Sequence, residues 1–176
     1  MDLRYPIGPF VREEEPLSAE KRARFIGEIA AAPGRLREAV AGLTAAQLDT
    51  PYRPGGWTAR QVAHHIPDSH VNAYVRFKLA LTEDEPALRS YEESDWAKLP
   101  DSAATPVEVS LDLLDALHSR WVTLLRSLGE RDFLRTARHP SWGLITVDFL
   151  LAQYAWHGRH HVAHITSLRE REGWTA

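Results

Sequence analysis

Residues 146–172, TVDFLLAQYAWHGRHHVAHITSLRERE, decide the reading of this chain. Thr146 offers a capping hydroxyl ahead of an uninterrupted run of helix-compatible residues, and Gly173 follows Glu172 as a stop. On a wheel of about 100° per residue, with His157 at zero, His161 falls at about 40°, His164 at about −20° and His160 at about −60°. Leu150 and Leu168 both fall at about 20°, between His157 and His161. If those leucines mark the buried stripe, His157 and His161 point inward, while His160 and His164 lie toward the margin beside Gln153. Two histidines at i and i+4 on one face can chelate one metal ion. The glutamate of the zincin motif H-E-x-x-H is missing, so a protease of that type is not supported. The rival reading of HGRHHVAH is a solvated helix face.

Working outward, residues 1–17 contain Pro6, Gly8, Pro9 and Pro16 and read as an arm. Ser18 caps a helix from Ala19 to Ala32; Pro33-Gly34 interrupts it, and Arg35 to Leu43 resumes the pattern, so Pro33 kinks or divides the helix. Residues 49–57 (DTPYRPGGW) are a loop. Thr58, with Gln61 three residues on, forms a capping box for a second helix running to about Leu81, with a kink at Pro67. Residues 83–104 read as a long loop with one turn near Trp96. Thr105-Pro106 reads as a cap and first helical position, opening a third helix that reaches Leu128 and stops at Gly129. Residues 136–145 read as an irregular connection. Four long helices, no convincing strand pair and no internal repeat predict one all-α domain over 1–176, a four-helix bundle with long connecting loops that need not be simple up-and-down.

Composition narrows the function. A chain of 176 residues fits one domain of the usual size, about 100–200 residues, and can bury a core without a staple. It has no cysteine, which excludes disulfides, thiolate metal sites and a cysteine nucleophile. The net charge of −3 with interspersed signs argues against a nucleic-acid partner. No segment resembles a signal peptide or a membrane span, so a cytoplasmic location is expected. Four of the nine histidines fall between 157 and 164, and three between 64 and 70.

A catalytic zinc site usually takes three protein ligands and leaves a position open. The second helix offers His64, His65 and His70. Its apolar face is drawn by Val62, Ile66, Ala73, Phe77 and Ala80; His65 lies at the edge of that face and His64 points roughly away. His65, His157 and His161 are therefore the expected ligands of one divalent ion per chain. His160, His164 and Asp68 are candidate general bases, and each also reads as a solvated or ligand-supporting residue. Asn72 and Arg76 share the His65 side of their helix and are candidate substrate contacts for a small molecule. Trp57, Trp121 and Trp156 read as core or loop anchors. Such an ion supports hydrolysis by metal-activated water, or capture of a low-molecular-weight thiol as thiolate for S-transfer. A structural metal in a dimeric binding module is the third alternative, with His160, His164 or Asp68 as fourth ligand.

The segments GGWTARQVAHHIPDSHVNAYVRFKLALTED (55–84) and YAWHGRHHVAHI (154–165), with YPIGPF (5–10) and LDTPYRPGGW (48–57), resemble the DinB/YfiT-like metalloenzyme family, most of all its YfiT branch. The resemblance covers nearly the whole chain. It implies metal ligands at His65, the second of the His-His pair, and at His157 and His161. Many relatives carry Arg-Gly-Gln after the last of these, where this chain has Val162-Ala163-His164; that departure keeps His160 and His164 open as alternative ligands. The resemblance further implies a bundle of non-simple topology, a homodimer, zinc or nickel as the metal, and either metal-dependent hydrolysis or thiol S-transfer.

Overall fold

A computed structural model describes residues 2–174. In chain order the elements are α1 (Ala19–Val40), α2 (Ala45–Leu48), α3 (Ala59–Thr82), α4 (Glu93–Trp96), α5 (Asp101–Ala104), α6 (Val107–Arg126), α7 (Glu130–Phe133), β1 (Thr136–His139), β2 (Gly143–Thr146) and α8 (Val147–Glu172). The four long helices form a bundle in which α1 packs on α6 and α8, and α3 packs on the same two. The first two long helices in the chain, α1 and α3, thus sit on a diagonal and meet only slightly. That is not an up-and-down order.

Local signals set most of the boundaries. The Ser18 hydroxyl accepts from the Lys21 N–H at 3.2 Å. Thr58 and Gln61 form the reciprocal box, and Gln61 Nε2 also donates to the Ala97 carbonyl at 2.8 Å. The Thr146 hydroxyl accepts from Phe149 N–H at 3.0 Å, and Gly173 closes α8 at φ 69°, a left-handed conformation that glycine adopts without steric cost. Pro33 and Pro67 lie inside α1 and α3, and neither divides its helix. A proline removes one N–H and frees the carbonyl four residues earlier; packing on both sides holds the helix together across the gap.

Three expectations are corrected. The connection at 136–145 is not irregular: β1 and β2 pair antiparallel, Thr136 opposite Thr146 and His139 opposite Gly143. Ala137 and Ile145 are cross-strand partners that enter the core together, which is the burial a two-stranded ribbon needs. The third long helix begins at Val107 with Pro106 at the cap and no side-chain cap bond, while Thr105 ends α5 through its N–H to the Asp101 carbonyl. It ends at Arg126, and Gly129 instead caps the short α7, where Asp132 accepts the Gly129 N–H.

The core divides along the bundle axis. One part gathers Phe25, Ile29, Phe77, Trp121, Leu125, Phe149 and Tyr154; the other gathers Leu36, Val62, Ile66, Leu111, Leu114 and Ile165. At the start of α8 the fully buried Asp148 accepts from Arg22 Nε at 2.8 Å, Arg22 Nη2 at 2.7 Å and Leu17 N–H at 2.9 Å. A paired and hydrogen-bonded charge is the form in which a buried carboxylate is tolerated. It locks the N-terminal arm and α1 to the base of α8. On α8, Gly158 lets α1 and α3 come close, since a Cβ there would stand 3.3 Å from Ala32 Cβ and 3.5 Å from His70 Cε1.

Candidate metal centre

The α3–α8 interface brings His65, His157 and His161 together, each offering one ring nitrogen within 4.8 Å of the other two. His65 Nε2 and His157 Nε2 are 3.4 Å apart. Two nitrogens bound at about 2.1 Å to one tetrahedral ion stand about 3.4 Å apart, so this pair has the separation a shared ion requires. Trp57 covers the set, its ring centroid 4.7 Å from that of His65 and 6.2 Å from that of His161. Burial pushes every imidazole toward its neutral form: His65 is held down at about 4, and His157 and His161 well below the ordinary value of 6.5, with neighbouring histidines adding to the effect. Neutral imidazoles keep a lone pair for a metal at neutral pH.

The placement of His160 and His164 at a margin is corrected. Both are buried, at 6% and 3% exposure, because the N-terminal arm and the loop after α2 cover that side of α8. His164 Nε2 donates to the Arg4 carbonyl at 3.1 Å, and its ring stacks on Tyr52 at 4.0 Å. The His160 ring stacks on Trp156 at 4.3 Å, whose Nε1 donates to the Gly8 carbonyl at 3.3 Å. His160 and His164 group with His161 but not with His65 or His157. His160 Nδ1 has no hydrogen-bond partner, and burial followed by the nearby His164 holds its ring down at about 4.

The other candidates fall outside the ligand cluster. Among the described residues no carboxylate joins either histidine group. Asp68 is partly buried, and burial with Asp101 nearby lifts its carboxyl to about 6. Asn72 Nδ2 is spent on the Asp68 carbonyl of its own helix at 2.8 Å. Arg76 reaches the Tyr154 hydroxyl at 2.6 Å and the Arg89 carbonyl at 2.8 Å, and pairs with no carboxylate among the described residues. Trp121 is a core anchor with no exposure, as its residue type suggests.

Other side chains around the centre were either passed over or placed differently by the sequence reading. His64 does not point away: it is buried, with Nδ1 2.7 Å from the Ser110 hydroxyl on α6, because α3 is covered by α6 as well as by α8. His70, with no exposure, places Nε2 3.1 Å from His157 Nδ1 and Nδ1 2.7 Å from His118 Nε2. Ser69 lies 3.3 Å from His157 Nε2. The Tyr91 hydroxyl is buried beside Ser69, and burial lifts it to about 12. A signal for two of these residues exists in the sequence. His70 continues the apolar stripe Ile66–Ala73–Phe77–Ala80, and His118 continues Leu111–Leu114–Trp121–Leu125.

A cavity of about 360 Å³ opens beside the cluster, lined by Tyr5, Tyr52, Arg53, Trp57, His160 and His161 among others. A Bacillus cereus protein named "Putative metal-dependent hydrolase" is 54% identical over 173 residues, covering 98% of this chain and 99% of that protein. A Bacillus anthracis protein of the same name is 53% identical over the same share of both. The solved structure of Bacillus subtilis YfiT, described as "a probable metal-dependent hydrolase with an unusual four-helix bundle topology", matches with a TM-score of 0.95 at 47% identity, over 99% of this chain and 100% of that one. Residues 28–165 match the DinB superfamily, and with that match, the diagonal bundle and the YfiT likeness, the chain belongs to this superfamily, in its YfiT-like branch.

Proposed function

We propose that the chain is a metal-dependent hydrolase of small molecules, with His65, His157 and His161 holding one divalent ion, zinc or nickel. The observation that carries this reading is the convergence of three neutral ring nitrogens within 4.8 Å, with no carboxylate in the group among the described residues, at the edge of a cavity of about 360 Å³. A structural zinc normally takes four protein ligands, whereas this cluster supplies three and leaves a position for water or substrate. When bound, the ion supplies Lewis acidity that brings the pKa of a bound water toward about 7. Tyr52, Arg53 and Trp57 line the cavity and form the wall that receives the substrate, whereas Asn72 and Arg76 do not line it. His160 serves as the proton acceptor: it lines the cavity and stays neutral at pH 7. His164 is less suited, since both of its nitrogens have partners.

The test is metal analysis of the purified chain together with an ester and amide hydrolysis screen, run with and without small thiols. About one ion per chain and turnover without thiol are expected, with loss of both in the His157→Ala/His161→Ala double variant. His160→Gln should keep the ion and lose turnover. Turnover that requires added thiol would replace hydrolysis by thiol S-transfer. Full metal content in the double variant would overturn the ligand set.

A further inference from the structure

A line of hydrogen bonds runs from the candidate centre through all four long helices. His157 on α8 meets His70 on α3 (Nδ1 to Nε2, 3.1 Å); His70 meets His118 on α6 (Nδ1 to Nε2, 2.7 Å); His118 Nδ1 meets the Ile29 carbonyl on α1 at 2.7 Å. The last group fixes the direction of the others. Ile29 lies four residues before Pro33, which has no N–H to give it, so this carbonyl lacks its usual helical partner. A carbonyl can only accept, so His118 Nδ1 must carry a proton and donate it. A neutral imidazole has one N–H, which leaves His118 Nε2 as an acceptor. His70 Nδ1 must then donate to it, and His70 Nε2 must accept from His157 Nδ1–H. The single remaining lone pair of His157 is on Nε2, the atom 3.4 Å from His65 Nε2.

We propose that the carbonyl freed by Pro33 fixes the tautomer of His157 through His118 and His70, so that His157 presents Nε2 ready for a metal ion. His70 and His118 are positioning residues that touch neither the ion nor the substrate. The same logic recurs on the second α8 ligand. His164 Nε2 donates to the Arg4 carbonyl, its Nδ1 is then an acceptor for His161 Nδ1–H at a longer 3.4 Å, and His161 Nε2 is left free. Partners that orient a ligating histidine through its other nitrogen contribute about 10–100-fold in metal affinity.

The proposal rests on reading His65, His157 and His161 as the metal site, and its test separates the two. In full-length, chelated protein labelled with ¹⁵N-histidine, long-range ¹H–¹⁵N spectra at neutral pH should show His157 protonated at Nδ1 and bare at Nε2. A proton on Nε2 in the unsubstituted chain would overturn the proposal without any variant. His118→Phe fills the space and cannot relay, so His157 should lose its fixed tautomer and zinc affinity, measured against a competing chelator, should fall about 10–100-fold. His118→Gln can donate to the Ile29 carbonyl and accept from His70 at once, and should restore both readouts. An unchanged His157 tautomer and zinc affinity in His118→Phe would refute the relay, as would failure of His118→Gln to do better than phenylalanine. If the unsubstituted chain binds no zinc while His157 keeps its Nδ1 proton, the relay stands and the metal reading falls.

Discussion

Acidifying the metal-free protein from pH 7 to pH 5 should cost it most of its stability. His65, His118 and His160 each have a folded value of about 4 against an ordinary value of 6.5, burial being the main cause. A histidine whose value is depressed on folding gives stability that is intact above about 6.5 and is lost as the pH falls toward 4, because the unfolded chain takes up the proton first. At pH 5 each such ring disfavours the folded state by about 2 kcal/mol, or about 6 kcal/mol for the three. Asp68 acts in the opposite sense: its value rises to about 6 from 3.8 on folding, so protonation returns about 1 kcal/mol between pH 7 and pH 5. The net loss of about 5 kcal/mol compares with a total of about 5–15 kcal/mol for a typical domain. His70, His157 and His161, also depressed by burial, push in the same direction. Urea titrations followed by circular dichroism at pH 7, 6 and 5 on chelated protein read this directly. With a slope of about 2 kcal/mol per molar urea, the midpoint should fall by about 2 M. His118→Gln, which cannot titrate, should shrink the fall by about one third. A midpoint unchanged between pH 7 and pH 5 would refute the linkage of these buried rings to folding.

Three further outcomes follow from the geometry. Asp148→Ala leaves the Arg22 guanidinium buried without its partner and should destabilise the chain by about 3–5 kcal/mol in urea, while Arg22→Met/Asp148→Leu should recover a large part of that. Gly158→Ala gains about 1 kcal/mol of helix propensity against the 3.3 Å approach to Ala32 and should be near neutral; Gly158→Val should cost about 1–3 kcal/mol more through overpacking, and equal stability of the two would show that the helices are not that close. Chelation at room temperature should leave the far-ultraviolet dichroism of the bundle unchanged while lowering its melting temperature; cooperative unfolding on chelation would assign the metal a structural role.

Much of the bundle is written in its caps. Ser18, the Thr58/Gln61 pair, Thr146 and Gly173 each act through bonds to residues three or four positions away, and such bonds are legible one segment at a time. The hairpin was not, because strands of four residues carry too little alternation, and Ala137 and Ile145 are buried only by tertiary contacts. The grouping of His65 with His157 and His161 followed from helical spacing and from family likeness. What spacing could not supply was the third dimension. A wheel treats each helix as having one buried face, so it sent His64 outward and His160 and His164 to a rim. In the fold α3 is enclosed by α6 as well as α8, and residues 2–10 roof the histidine side of α8. His70 and His118 lay on apolar stripes that the pattern did display, but polar residue type outweighed position.

The order of the helices around the bundle has a consequence for how the chain is made. His65 and His157 are separated by 92 residues, and α8, like α6, packs on both α1 and α3. While synthesis proceeds, a nascent chain ending before α8 holds one histidine of the triad and an open groove. Closing a loop of that length costs about 4 kcal/mol of chain entropy, which α8 offsets by packing on both helices at once. A single imidazole is a weak trap for a divalent ion, so with the proposed ligands capture would wait for the same event that completes the core. On the ligand set proposed above, the ribosome-bound chain has no half-formed site in which to seize an ion, and binding of that ion would report that the bundle has closed.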